Sequence, residues 1–347
     1  MKISVCIPQY NRIAYLLVSL AEISRQTYPD VEICVVDDAS TDDTLARLAE
    51  FQRHSRFPFR FEQNPTNRGY DYTLRRALAL ATGDYCFALG NDDTLHDPGC
   101  LSRLVAFLEK NQNPDVGFTN FVSDENPGAV QRRANAIGVV GSGPEVAGRH
   151  YASFAFVGGL VFRREALARV NTDAFDGSVF AQVGLGLRII LAGGRLFTVE
   201  EAMVRKDLRL DGQRANSWRD ALHGDWRRFR RLDGGLPQLI AVVHQAFAEA
   251  GLYAPSRTYG LLQKHYRQTY PYWLLEYRTY GGWVNALGLT AGLFPARLLR
   301  RYRLGLGYSA GVWGWYAAAT TLGLLLPTGI FQRLKTPLYN FIKRWNP

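Results

Sequence analysis

Two short apolar runs, residues 3–7 (Ile-Ser-Val-Cys-Ile) and 31–36 (Val-Glu-Ile-Cys-Val-Val), limit what this chain can fold into. Each has the length of a buried strand, and each stops abruptly, the first at Pro8 and the second at Asp37-Asp38. Between them Ile13, Leu16, Leu17, Leu20 and Ile23 recur at three and four residues, the helical period, until Tyr28-Pro29-Asp30 breaks it. Strand, helix and strand at this spacing form a β-α-β unit, whose two strands lie parallel. The alternation continues. A helix is expected over residues 42–53 with Leu45 and Leu48 facing inward, then a strand near 57–63, an Asn/Pro/Gly turn at 64–69, a helix near 71–81 and a strand over 85–89 that runs into Gly90-Asn91-Asp92-Asp93. The pattern predicts an α/β fold: a mixed, mostly parallel sheet with helices on both faces, whose ligands bind beyond the carboxyl ends of the strands.

Further along, a short strand is expected over 116–121, a flexible Gly/Pro segment over 138–148, helices over 163–171 and 181–192, and a strand over 195–199. Beyond about residue 215 the strand signals stop and Arg- and aromatic-rich helical patterns take over, which divides the chain into regions 1–215 and 216–347. With 47% hydrophobic and 21% charged residues the chain is globular, which excludes a disordered or fibrous protein. Cys6, Cys34, Cys86 and Cys100 are too few and too scattered for a disulfide framework and fit a reducing compartment. No signal-peptide pattern opens the sequence, so secretion by that route is not expected. Charge is uneven: residues 1–200 hold 20 Lys and Arg against 23 Asp and Glu, whereas residues 201–347 hold 21 against 8. Within 251–347 the count is 12 basic residues to one acidic, Glu276, a balance that suits an anionic surface.

Asp37-Asp38 and Asn91-Asp92-Asp93 follow two strands of one sheet and so share its carboxyl edge. Carboxylates at a strand end hold a hard divalent cation, commonly one shared with substrate phosphates, and this combination reads as a nucleotide site. Ser40, Thr41 and Asp42 have a plainer reading as caps of the next helix.

Taken in order, Ser-Val-Cys-Ile-Pro-Gln-Tyr-Asn-Arg (4–12), Val-Val-Asp-Asp-Ala-Ser-Thr-Asp-Asp-Thr (35–44), Asn67-Arg68-Gly69, and Gly83-Asp84-Tyr85 leading to Asn91-Asp92-Asp93 resemble the family-2 glycosyltransferases of the GT-A (Rossmann-like) fold. The resemblance covers roughly residues 1–200. It implies transfer of a sugar from a nucleotide-sugar donor with a divalent metal, Mg or Mn, usually with inversion at the anomeric carbon. Carried over, it places Pro8, Tyr10 and Arg12 around the base and ribose, Asp37 as acceptor of a hydrogen bond from the base, and Asp92 as the last carboxylate of the metal-binding Asp-x-Asp. Asn67, Gly69, Asp71 and residues 89–93 fit a subset with Asn-x-Gly-x-Asp and Leu-Gly-x-Asp-Asp stretches, which adds Asn67, Gly69, Asp71 and Asn91 to the donor residues.

This sequence departs from the family at two places. Gly90 stands where Asp-x-Asp has its first Asp, leaving Asp92 as the single ligand and a metal expected to bind only with the donor diphosphate. Aligned on Leu185-Gly186-Leu187-Arg188, Ala181-Gln182 replaces the Glu-Asp whose Asp is the general base, and an amide cannot take a proton at neutral pH. Asp176 is the leading substitute, as base or as a turn former before Gly177; Asp173 and His150 are further candidates, and Gln182 is kept as an acceptor-positioning residue. Arg205, Lys206 and Arg209 are placed to neutralise the departing nucleoside diphosphate, or else form a solvated basic loop; Arg205 is taken as the donor-binding cation. Gln213 to Trp218 only loosely matches the Gln-x-x-Arg-Trp motif of processive members, and processivity is not inferred.

Two charge-free stretches, 279–296 and 304–332, flank an Arg-rich segment at 297–303, and the second is long enough to span a bilayer. Crossing at either stretch puts basic residues on the far side, against the positive-inside bias, so helices lying in one leaflet are expected, including an interfacial helix over 330–345. The rival is a buried helical subdomain or a homo-oligomer interface, with Gly307-x-x-x-Gly311 packing helices. The leading expectation is a monotopic or peripheral glycosyltransferase at the cytoplasmic face of the cell membrane, bound to anionic lipid and extending a lipid-linked sugar acceptor of a cell-surface polysaccharide. The rivals are a soluble acceptor or an inactive sugar-nucleotide-binding subunit. Nucleic acid is not an expected partner, because the basic residues are interspersed with apolar runs.

Overall fold

A computed structural model of the chain describes residues 1–215 and 236–334. The chain divides into two compact units, Met1–Ala215 and Asn216–Pro347.

The first unit opens with β1 (Ile3–Gln9), α1 (Ile13–Ser24), β2 (Val31–Asp37), α2 (Thr44–His54), β3 (Phe59–Gln63), α3 (Tyr70–Leu80) and β4 (Tyr85–Ala88). Then follow β5 (Thr94–Leu95), α4 (Cys100–Lys110), β6 (Val116–Ser123), β7 (Asn126–Gln131), β8 (Gly138–Gly141), α5 (Gly143–His150), β9 (Leu160–Arg163), α6 (Arg164–Val170), α7 (Ala181–Leu191), β10 (Leu196–Lys206), β11 (Arg209–Leu210) and β12 (Gln213–Arg214). The main sheet runs β3-β2-β1-β4-β9-β6-β10-β5. β1 pairs parallel with β2 and β4, and β2 with β3, as consecutive helical crossovers require. β9 is antiparallel to β4 and β6, β5 and β8 to β10, and β7 to β6, so five of the nine pairings are antiparallel and the sheet is mixed rather than mostly parallel: the parallel order holds for the β3-β2-β1-β4 half that the helical crossovers build. Every residue of β1 and β2 is buried, which explains why both read as continuous apolar runs rather than alternating ones. Ile3, Val5 and Ile7 belong to one core with Leu16, Leu20 and Ile23 of α1 and Leu101 and Leu104 of α4.

Three local expectations are corrected. Leu45 is exposed; α2 turns Thr44 and Leu48 inward instead, one helical turn apart. The Gly/Pro segment over 138–148 is ordered as β8 and α5. β8 completes an edge against β10, and Pro144 sits in the first turn of α5, where its missing N–H costs nothing. β10 extends well past residue 199, because exposed Glu200 and Glu201 sit at a break in its register with β6 and hide the strand from apolar periodicity.

The second unit is helical throughout its described residues: Leu236–Glu249, Pro255–Lys264, a π-helical turn His265–Thr269, Tyr270–Gly292, Pro295–Tyr302 and Leu306–Leu325. Gly282, at φ 72°, kinks the fourth of these. Buried tyrosines tie the helices together: Tyr266 Oη donates to Leu293 O (2.7 Å) and Tyr270 Oη lies 2.8 Å from Thr320 Oγ1. No helix of the described residues is long and apolar enough to cross a membrane. Leu306–Leu325 has the length, but Gly307, Ser309, Gly311, Gly314, Thr320 and Thr321 dilute its apolar character. Large apolar side chains nevertheless face outward, including Trp283, Val284, Leu287, Leu306, Leu322 and Leu325. Most of the expected interfacial helix over 330–345, and residues 216–218 of the loose Gln-to-Trp match, lie outside the described residues.

Candidate active site

The carboxyl ends of β1, β2 and β4 are adjacent by pairing, so Pro8, Asp37 and the turn after Ala88 meet at one edge. Pro8 is buried in β1 beside Val36, and Tyr10 beyond it is exposed. Between them Gln9 is buried and bridges the strands: its Nε2 donates to Thr44 Oγ1 (3.1 Å) and its Oε1 accepts from Asn91 Nδ2 (2.8 Å). Arg12 precedes α1, and its Nη1 reaches Asp92 Oδ2 (3.1 Å) and Asn91 Oδ1 (3.4 Å).

Asp37 is fully buried and accepts from Ser40 N (3.0 Å), Ser40 Oγ and Gln63 Nε2 (3.1 Å). Asp38 holds the next turn, accepting from Asn64 Nδ2 (2.8 Å), Arg68 N (2.7 Å) and Gly69 N (2.8 Å). Gly69 sits at φ +84°, a conformation only glycine adopts without strain, and Asn67 Oδ1 also accepts from its N–H (3.2 Å). Asp71 is buried and tied to a distant part of the chain: its carboxylate accepts from Val179 N (2.7 Å) and Ala181 N (3.0 Å), capping α7 from α3. Burial raises the Asp71 carboxyl, against the pull of those two backbone bonds.

Gly90 has a steric reason: a Cβ there would stand 2.8 Å from Asp93 Oδ2 and 3.3 Å from Asp92 Oδ1. A side chain at the position that carries the first Asp in the family pattern would therefore require the Asp93 carboxylate to move. Burial raises Asp92, offset by Arg12 and reinforced by Asp207. Asp93 is buried and pushed well above the carboxylate range by burial, then by Asp92 and Asp207. Burial also pushes the Tyr70 phenol well up, with Asp71, Asp93 and Asp92 adding to it, which puts Tyr70 beside the cluster. Asp207 raises Asp92 and Asp93 alike, against the opposing pull of Lys206, and so acidic a cluster suits a cation. Among the described residues no three His, Cys, Asp or Glu side chains form a metal cage. The residues fit an ion held by Asp92 together with a diphosphate, not one held by protein alone.

Of the three following cations, Arg205 Nε lies 3.5 Å from Asp124 Oδ1 and Arg209 Nη2 lies 2.9 Å from Glu125 Oε1. Lys206 faces the acidic cluster instead, with Nζ 3.3 Å from Asp207 Oδ2 and over the Phe121 ring.

Asp176 and Gln182 have separate surroundings. Both Asp176 oxygens accept from Arg75, Oδ1 from Nε (2.7 Å) and Oδ2 from Nη2 (2.5 Å). Gln182 is buried on α7 with Nε2 donating to Ala155 O (3.0 Å), while its Oε1 has no hydrogen-bond partner among the described residues. Asp173 begins a short 3₁₀ turn and His150 is buried at the end of α5. Gln9, Tyr70 and Asp207 were given no role by sequence reasoning. For Gln9 a signal existed, an uncharged polar residue where an apolar strand ends; for Tyr70 and Asp207 there was none.

Residues 4–170 match the glycosyl transferase family 2 model. Abequosyltransferase RfbV of Salmonella typhimurium is 41% identical over 111 residues, 31% of this chain and 33% of that protein. The putative glycosyltransferase EpsE of Bacillus subtilis is 38% identical over 125 residues, 36% of this chain and 45% of that protein. The chain thus matches less than half the length of these relatives. The crystal structure of S. aureus TarS 1-349 in complex with UDP superposes with a TM-score of 0.58 over 92% of this chain and 90% of that one, at 16% identity, a likeness of fold. The match to the family-2 glycosyltransferases thus extends over residues 4–170, just under half of the chain.

Proposed function

We propose that this chain transfers a sugar from a nucleotide-sugar donor, with a divalent metal and with inversion, to a lipid-linked glycan acceptor at the cytoplasmic face of a membrane. One observation carries the donor half: Arg12, Asn91 and Asp92 form one hydrogen-bonded network with Gln9 at the carboxyl edge of β1, β2 and β4, the edge at which β2 ends in Asp37. There Asp37 takes the base, and Pro8, Tyr10, Asn67 and Gly69 line the base and ribose. Asp71 acts through the loop it holds. Asp92 holds the ion, which when bound neutralises the diphosphate and favours its departure. Lys206 adds fixed positive charge on the leaving-group side, the role expected of Arg205, which lies against Asp124 instead. Asp176 takes the acceptor proton, its orientation set by the bidentate Arg75, and Gln182 positions the acceptor from the head of α7.

The acceptor half rests on the second unit. Outward Leu306, Leu325, Trp283 and Val284, with 12 basic residues to one acidic over 251–347, suit an anionic leaflet. RfbV is named as an abequosyltransferase and EpsE as a putative glycosyltransferase, which agrees with a sugar transferase; that it builds cell-surface polysaccharide we propose in addition. A screen of nucleotide-sugars with purified protein and Mn²⁺ or Mg²⁺, read as released nucleoside diphosphate, tests the donor half. Co-sedimentation with anionic vesicles tests the acceptor half. Release from no donor removes the first, and a protein that ignores vesicles at low salt removes the second.

A further inference from the structure

We propose that Arg12 is a resident counter-cation on Asp92 that a divalent metal must displace, so that the metal binds well only in company with the donor diphosphate. This rests on the metal role given to Asp92 above and adds a positioning residue to it. Arg12 Nη1 stands 3.1 Å from Asp92 Oδ2, with the two side chains 29% and 20% exposed. The pair joins fixed elements: Arg12 is the residue before α1, and the neighbouring Asn91 is held by Gln9 at 2.8 Å.

A divalent ion bonds a carboxylate oxygen at about 2.0–2.6 Å. On Asp92 Oδ2 it would stand within a few ångströms of the guanidinium, and like charges that close repel strongly in a partly desolvated site. The other charged groups near Asp92 are Asp93, Asp207 and Lys206, and Lys206 lies 3.3 Å from Asp207 Oδ2. Arg12 is therefore the cation the metal competes with. A diphosphate ends the competition, because its negative charges receive the guanidinium while Asp92 turns to the metal. Ordered binding follows: little metal without nucleotide, and both together.

Mn²⁺ titrated into the full chain without nucleotide, with free Mn²⁺ read from its EPR signal, tests this on wild type, Arg12→Gln, Arg12→Lys and Arg12→Gln/Asp92→Asn. Arg12→Gln is expected to bind Mn²⁺ about tenfold tighter than wild type. Arg12→Lys, which keeps the charge and serves as the folding control, should stay within about twofold. The double variant should lose the gain. Equal affinity in wild type and Arg12→Gln overturns the proposal, as does a gain that survives Asp92→Asn. If Arg12→Gln gains nothing while Asp92→Asn still abolishes metal-dependent donor cleavage, the competition alone is wrong. If Asp92→Asn keeps that cleavage, the metal assignment fails and the competition with it.

Discussion

Glu32 in the first unit and His265 in the second are both fully buried, yet they meet burial with opposite chemistry. Glu32 accepts from Ser4 Oγ and Thr82 N (both 2.6 Å), Thr82 Oγ1 (2.8 Å) and Gly83 N (3.1 Å), and Lys2 Nζ lies at 2.7 Å. Burial raises its carboxyl, but the bonds from Lys2, Ser4 and Thr82 outweigh it and bring the pKa down to about 2. Neither ring nitrogen of His265 has a hydrogen-bond partner among the described residues, and burial brings its pKa down to about 3. The difference lies in the supply of backbone donors. Strand ends and turns leave N–H groups free to point at a side chain, as at Thr82 and Gly83, at Ser40, and at Val179 and Ala181. A helical turn has already spent its own N–H groups, so a buried acceptor inside a helical unit depends on other side chains, while a donor such as Tyr266 can still reach a carbonyl near a helix end. The sheet unit can thus hold buried charge, and its site is made of it.

The comparison is tested most severely at Asp92. Asp92→Ala is expected to lower metal-dependent nucleotide release by about 10²–10³-fold, the loss usual for a key electrostatic group. Its thermal midpoint should barely move, because burial disfavours that carboxylate in the first place. Kinetics and a melting curve on one preparation check both. Asp176→Asn should cost about 10²–10⁴-fold in transfer and more than Gln182→Ala, the margin expected of a general base over a positioning amide. Equal mild losses would move the base to Asp173 or His150.

Glu32→Gln should destabilise the first unit by about 3 kcal/mol near neutral pH, the value of a shift from 4.5 to about 2. A depressed folded pKa means that this stability is complete above about pH 5 and is lost as pH falls toward 2. Denaturant unfolding at pH 7 and pH 3 should show wild type losing most of its advantage over the variant. His265→Phe should behave inversely in the second unit. There the neutral imidazole survives burial only while the unfolded chain does not bind a proton, so stability falls as pH drops from 6.5 toward 3. At pH 5 the variant is expected to be more stable than wild type by about 2 kcal/mol, read by amide exchange over His265–Thr269. The smallest stability effect belongs to Leu306→Glu and Leu325→Glu, at 92% and 73% exposed, within about 0.5 kcal/mol of wild type. The same pair should weaken sedimentation with anionic vesicles, and unchanged sedimentation would move the contact surface elsewhere.

Sequence by itself determined the β-α-β alternation, the carboxylates at the strand ends and the change of character near residue 215, because each follows from short-range periodicity or charge. Gly90 was visible only as a missing Asp; that a side chain there would press on the Asp93 carboxylate became visible once the turn after β4 was folded. Asp71 illustrates the same limit more strongly. It read as a donor-site residue; that it caps a helix 110 residues away could not be read, because no local pattern encodes a partner at that distance. The tertiary structure likewise decided which of Arg205, Lys206 and Arg209 faces the acidic cluster, since neighbours in sequence point to different sides of a strand. Spacing along the chain sets the elements, and the packing of elements distant in sequence decides which charges meet.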